Sequence, residues 1–207
     1  MARITGAVCR LCRRSGDKLF LKGAKCYSNC TYDKRPTPPG PKSARRRRIS
    51  DRGVQLRDKQ RARWIYGILE RQFRRTFGEA EKQGGVTGDN LVVILERRLD
   101  NIVYRFGMAD SRSQARQLVR HGHVMVNGKR NNVPSSLIEE GDTISFTEGS
   151  KKTEYYKGLV EGIKTKAVPN WLSLDREQLT GKVLSLPTPD EAQAKFEGKT
   201  IVEFYSR

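Results

Sequence analysis

The sequence predicts an α+β protein: a helical domain that starts with a four-cysteine metal knuckle and carries an inserted α-α-β-β-β module. Three observations lead there. Two close cysteine pairs, Cys9/Cys12 and Cys26/Cys30, account for every cysteine in the chain. Apolar residues then recur at helical spacing through the middle of the sequence. Within Asp110–Arg130, DSRSQARQLVRHGHVMVNGKR, that period gives way to the alternation and Asn-Gly turn of a β-hairpin. The expected domains are 1–48, knuckle and basic arm; 49–87, helical domain, completed by 167–207; and 88–166, the module.

In chain order, the cysteine pairs come first, separated by 13 residues. Two such pairs closing a loop suit one tetrahedral metal ion held by four thiolates. Zinc is the first expectation for Cys9, Cys12, Cys26 and Cys30, and an iron–sulfur cluster the second. The N-terminus lacks the apolar stretch of an export signal, which argues against disulfides and for a cytoplasmic chain. Lys and Arg around the cysteines offset the charge of a four-thiolate zinc site and can also reach phosphates. Residues 34–48, KRPTPPGPKSARRRR, read as an extended arm, because four prolines exclude regular structure and Arg45, Arg46, Arg47 and Arg48 repel one another. The plainer reading of that arm is a targeting signal or a disordered tail.

Ser50 can cap a helix running to about Tyr66, dense in charge, with Arg61 and Arg63 near its end and Gly67 as the break. Ile68–Lys82 reads as a second helix, with Phe73 and Phe77 on an apolar face and Arg71 and Arg74 off it. These aromatics belong to a core rather than to base stacking. Asp89 can cap one long helix to about Phe106, on apolar spacings of four, four, three and four from Leu91. Ser111 and Gln114 form a capping-box pair for the next helix, whose Ala115, Leu118 and Val119 make an apolar stripe and whose Arg112, Arg116 and Arg120 make a basic one. Gly122 ends it, His123–Val126 and Lys129 onward make the hairpin, and Thr143–Phe146 is a third strand. After Gly149 the signals weaken. Tyr155–Lys166 suits a helix; 171–174 and 183–186 suit short strands and 201–205 a final strand or ordered tail, packed back on the helical region.

Charge points to the partner class. The formal net charge is +18, distributed as 14 Lys/Arg against 2 Asp/Glu in residues 1–50, 17 against 9 in 51–138 and 10 against 12 in 139–207. A gradient of that size implies a polyanion met by the first two-thirds of the chain. No long basic amphipathic segment suits a membrane surface, and no apolar run is long enough to span one.

SRSQARQLVRHGHVMVNGK resembles the RNA-binding module shared by bacterial small-ribosomal-subunit protein four and several RNA-modifying enzymes. The flanks CRLC, RPTPPG, YGILERQFRRTF, ERRLDNIVYRFGMA, PSSLIEEGD, WLSLD and EFYSR resemble the ribosomal family, in its order, over the whole chain. The resemblance implies a primary binder of the 5′ domain of 16S rRNA that nucleates 30S assembly, contacts ribosomal protein five and affects decoding accuracy. It also implies, for some members, repression of their own mRNA. The family's module surface maps here onto Arg112, Arg116, Arg120, His121, His123 and Lys129, and its metal ligands onto Cys9, Cys12, Cys26 and Cys30. Two steps depart from the family pattern: three residues rather than four separate Cys26 from Cys30, and Pro41-Lys42-Ser43 follows the PPG where a His-Gly step is usual.

Phosphate contacts would then supply most of the affinity, with Arg112, Arg116 and Arg120 gripping the backbone and Arg45–Arg48, Arg61, Arg63, Arg71 and Arg74 as further RNA-binding candidates. The histidines have no cysteine or carboxylate at ligand spacing, so RNA contact or turn packing is expected of them. An enzyme carrying the same module would need a catalytic domain. The chain shows no phosphate-cradling glycine loop, nucleophile elbow or framed carboxylate pair, so it reads as a non-enzyme. A zinc-containing DNA-binding regulator would need a base-reading helix and a dimer signal, and neither is evident.

Overall fold

A computed structural model describes residues 4–41, 49–192 and 195–206. Arg45–Arg48 lie outside the described residues. Two compact units emerge, Met1–Val92 with Gln193–Arg207, and Val93–Ala192.

The first unit begins with α1 (Val8–Ser15), α2 (Lys25–Ser28) and α3 (Thr31–Lys34). The amides of Gly16 and Asp17 close α1 by donating to the Cys12 carbonyl at 3.0 and 3.3 Å. α4 (Asp51–Ile65) starts as the sequence predicts: the Ser50 hydroxyl accepts from the Gly53 amide at 3.3 Å. Its end carries the paired bonds of a Schellman motif, Gly67 N–H to the Trp64 carbonyl and Ile68 N–H to the Arg63 carbonyl. α5 (Glu70–Glu81) buries Phe73, Phe77 and Ala80, which confirms the core reading of its aromatics. α6 (Thr87–Glu96) follows, and the division between units falls inside it.

The segment expected as a last strand, 201–205, is helical instead, within Gly198–Tyr205. Its Ile, Val, Phe and Tyr favour a strand locally, but tertiary burial decides. Ile201 is fully buried, and the Tyr205 ring lies 4.5 Å from that of Phe77 and 6.4 Å from that of Phe73. Gly198 lets this helix start against Gly88: a Cβ on either would stand 2.8–2.9 Å from the other's backbone.

One buried charge ties this unit together. Lys59 is 5 % exposed, donates to Glu70 at 2.7 Å, and lies 4.7 Å from the Phe204 ring. Glu70 also accepts from Arg63 at 3.0 Å and from the Tyr205 hydroxyl at 2.9 Å, so three elements share one carboxylate.

The second unit contains α7 (Leu99–Arg105), α8 (Arg112–Arg120), β1 (Val124–Val126), β2 (Lys129–Arg130), β3 (Thr143–Phe146), α9 (Glu148–Lys151), α10 (Glu154–Gly162), β4 (Leu172–Asp175) and β5 (Thr180–Val183). The long helix expected from Asp89 to Phe106 is therefore two helices, broken at Arg97–Arg98. The break is filled by the backbone of 134–138. Leu99 and Asp100 amides donate to the Ser136 and Pro134 carbonyls, and the Ile138 amide donates to that of Arg97. The apolar period runs through the break unchanged, so only the polar run Glu96-Arg97-Arg98 marks it in the sequence.

Among the described residues the sheet has five strands, not three, in the antiparallel order β2-β1-β3-β5-β4. Residues 167–192 belong here rather than completing the helical domain. β5 pairs with β3 through Thr143↔Lys182 and Ile144↔Gly181, and Trp171, Leu172, Leu179 and Val183 enter the same core as Phe106 and Phe146. The strand expected at 183–186 lies earlier, at Thr180–Val183. Gly181 sits against the Phe106 ring, and a side chain there would overlap it.

Burial opposes ionisation of Glu70, but the hydrogen bonds of Lys59 and Tyr205 and the charges of Lys59 and Arg63 outweigh it. Its pKa lies below the ordinary 4.5. This carboxylate thus contributes stability that is complete above the ordinary value and is lost as pH falls through the lowered one. Glu70→Gln should cost about 1–2 kcal/mol at neutral pH, after discounting for the partial exposure of Glu70. The acid-induced loss of stability below pH 4.5 should also shrink. Urea unfolding at a series of pH values checks both.

Candidate nucleic-acid interface

The hairpin and the end of α8 form a continuous basic surface. Ser111 caps α8 by accepting from the Gln114 amide at 3.3 Å, and the Gln114 side chain accepts in return from the Asp110 amide at 2.9 Å. The helix ends with Gly122 N–H bonded to the Val119 carbonyl and His123 N–H to that of Leu118. Gly122 has φ +73, where glycine is favoured, and any Cβ there would overlap the Arg130 guanidinium. The turn residues Asn127 and Gly128 have φ of 49° and 75°, as a type I′ turn requires. Met125 and Val126 then pair with Arg130 and Lys129.

Arg120, His121, Lys129 and Arg130 are exposed on this surface. Arg130 donates to the His121 carbonyl at 3.2 Å, which joins the return strand to the end of α8. His123 is half-buried, its Nδ1 2.8 Å from the Ser150 hydroxyl and its ring 6.1 Å from that of His121. Cations at the end of α8 also face the negative pole of its backbone dipoles.

Arg112 and Arg116 are placed differently from the expectation of a solvent-facing arginine stripe. Arg116 donates to Asp100 at 2.8 Å, and Asp100 also receives a two-pronged contact from the buried Arg98 at 3.0 and 2.8 Å. Arg112 donates to Asn101 at 2.7 Å, stands 4.0 Å from Glu96 and lies 4.5 Å from the Tyr104 ring. Glu96 is fully buried and holds Arg105 through two contacts of 2.8 Å, with the Asn101 amide at 2.7 Å. These two arginines are thus bound into the fold, and they fix α8 on the α6–α7 junction. Spacing alone could not separate them from Arg120. The clue was the acid pair Glu96 and Asp100, four residues apart on either side of the helix break, with Asn101 directly after Asp100.

In the first unit, Arg61 and Arg63 are also half-buried and engaged. Arg61 pairs with Asp58 at 3.2 Å and reaches Ser15, and Arg63 pairs with Glu70. Arg71 and Arg74 are exposed, as are Arg52 and Arg57, which the sequence reading did not single out. Arg130 was missed as well. Its position directly after Lys129 on the strand leaving the Asn-Gly turn could have found it.

The knuckle residues lie on α1, α2 and the turn before α3. Cys12, Cys26 and Cys30 are buried and Cys9 half-buried, all as free thiols. Burial pushes the Cys12 thiol above its ordinary value against a backbone hydrogen bond from Leu19, and the other three cysteines push it further. Among the described residues, no group of three or more His, Cys, Asp or Glu side chains is disposed to hold a metal ion. The predicted metal centre is therefore not displayed as a ligand cluster. The donor set still suits a soft divalent ion, with the Lys22 amide already donating to the Cys26 sulfur at 3.3 Å. Arg13 fixes the start of the arm by donating to the Thr37 and Pro38 carbonyls at 2.7 and 3.2 Å.

Residues 3–96 match the Ribosomal protein S4/S9 N-terminal domain, and residues 97–144 match the S4 domain. The small ribosomal subunit protein uS4 of Dehalococcoides mccartyi is 60 % identical over 207 residues, covering all of both chains. This chain belongs to the uS4 family of ribosomal proteins. The uS4 of Halothermothrix orenii is 51 % identical and the uS4A of Symbiobacterium thermophilum 53 % identical, again over the full length of both chains. The family is a ribosomal one and not an enzyme family. Among the described residues, no helix is long and apolar enough to cross a membrane.

Asp100→Ala should cost about 3–5 kcal/mol, because it leaves Arg98 buried without its counter-charge. Arg120→Ala should stay within about 0.5 kcal/mol of the parent. Denaturant unfolding followed by circular dichroism separates the two.

Proposed function

We propose that this chain is a structural RNA-binding protein of the small ribosomal subunit, a primary binder of the 5′ domain of 16S rRNA that nucleates 30S assembly. The observation that carries the reading is full-length 60 % identity to a small ribosomal subunit protein. Its chemistry is supported by the exposed cations Arg120, Lys129 and Arg130 with His121, and by Arg71 and Arg74 in the first unit. His123 is the half-buried member of the set. The Arg45–Arg48 block joins the proposal on its charge alone. Affinity comes mainly from phosphates, through release of condensed counterions, and selectivity from RNA shape, 2′-hydroxyls and unpaired bases. Arg112, Arg116, Arg61 and Arg63 contribute chiefly by holding helices in register, since each is already committed to a carboxylate.

We infer three finer roles. The protein contacts ribosomal protein five, it supports decoding accuracy, and it carries one zinc ion on Cys9, Cys12, Cys26 and Cys30. The zinc assignment is supported by the two-pair spacing, the burial of three thiols and the amide donor at Cys26. The ion would stabilise a segment with little core of its own and bring its cations to the RNA.

Sucrose-gradient sedimentation in high salt tests the main reading: the chain should co-sediment stoichiometrically with small subunits. Free or substoichiometric protein would contradict it. Metal analysis of the purified chain should find one zinc per molecule, and iron with sulfide would overturn that assignment.

A further inference from the structure

The largest exposure of any big apolar side chain among the described residues is at Tyr27, 71 %. It follows the buried Cys26 on α2, so the chain fixes its backbone while its ring stands in solvent. The ring is not isolated. Phe20 lies 5.0 Å away between centroids, tilted by 33°. Phe20 itself adopts φ +52, a left-handed conformation that is costly for an aromatic residue. Leu19, immediately before it, is 2 % exposed, so the strained step separates a side chain buried inward from one presented to Tyr27. Two cations hold Phe20: Lys195 Nζ is 4.5 Å and Lys18 Nζ 5.8 Å from its ring centre.

The charge around this pair is one-sided. Arg10, Arg14, Lys22 and Lys25 are exposed on the same small segment. Its two acids, Asp17 and Asp33, are engaged, Asp33 by Lys18 at 2.7 Å and Asp17 by Arg61 at 3.9 Å. An exposed ring backed by a second aromatic that two lysines flank, on a segment with further exposed cations, is an arrangement that accepts an unstacked base while cations meet the flanking phosphates.

We propose that Tyr27, backed by Phe20, is a stacking platform for an unpaired base of the bound RNA. This rests on the RNA-binding reading and adds a contact of a different kind from the arginine and lysine contacts. Stacking releases no counterions, so it raises affinity without changing the salt dependence.

The full chain and a 16S 5′-domain fragment test it, with affinities measured across a salt series for Tyr27→Phe, Tyr27→Leu and Tyr27→Ala. Phe should bind within about twofold of the parent. Leu and Ala should lose about 5- to 100-fold, with the slope of log affinity against log salt unchanged. Leu preserves bulk, so its loss with an unaltered thermal melt excludes misfolding. Parent-like binding by Leu would overturn the proposal. So would an equal loss in Phe, which would assign the contact to the hydroxyl, or a reduced slope, which would assign it to a displaced cation. If the parent itself fails to bind the fragment, it is the RNA-binding reading that falls.

Discussion

The ion network of Glu96 and Asp100 is the constraint on which the second unit depends. Both carboxylates are buried: Asp100 is held by Arg98 from the helix break and by Arg116 from α8, and Glu96 by Arg105 and Asn101 from α7, with Arg112 of α8 at 4.0 Å. A buried carboxylate without such partners would be strongly unfavourable, so the network specifies one docking of α8 rather than several. The position of α8 in turn sets where its last turn and the hairpin present Arg120, Lys129 and Arg130. Burial beside an acid commits Arg116 to the fold and leaves Arg120 exposed, which on the proposed reading frees it for RNA.

The first unit repeats this logic. Lys59 and Arg63 meet Glu70 under the C-terminal helix, while Arg52, Arg57, Arg71 and Arg74 stay exposed. A high positive charge is compatible with a folded chain when the buried cations meet buried or half-buried acids. The excess is then left on the surface, where a polyanion can neutralise it.

Much of this was legible beforehand because it rests on local chemistry. The Ser50 and Ser111 caps, the Asn127-Gly128 turn and the apolar faces of α5 and α8 follow from side-chain hydrogen bonding, backbone permissiveness and period. What escaped is non-local. The break between α6 and α7 is made by the backbone of 134–138, which no window around Arg97 contains. The helix at Gly198–Tyr205 overrides strand-favouring residues through contacts with Phe73 and Phe77. β4 and β5 join the sheet because β3 offers an open edge. The arginine stripe on α8 misled for the same reason, since its period was right while the acids that claim two of its members lie 16 residues away.

The central claim is that α8 divides its arginines between fold and ligand. The slope of log affinity against log salt for a 16S 5′-domain fragment, compared for Arg120→Ala and Arg116→Ala, tests it most directly. Arg120→Ala should reduce the slope by about 1, as loss of one phosphate contact does, and Arg116→Ala should leave it unchanged in the folded protein. An equal reduction in both, or a reduction confined to Arg116→Ala, would contradict the account.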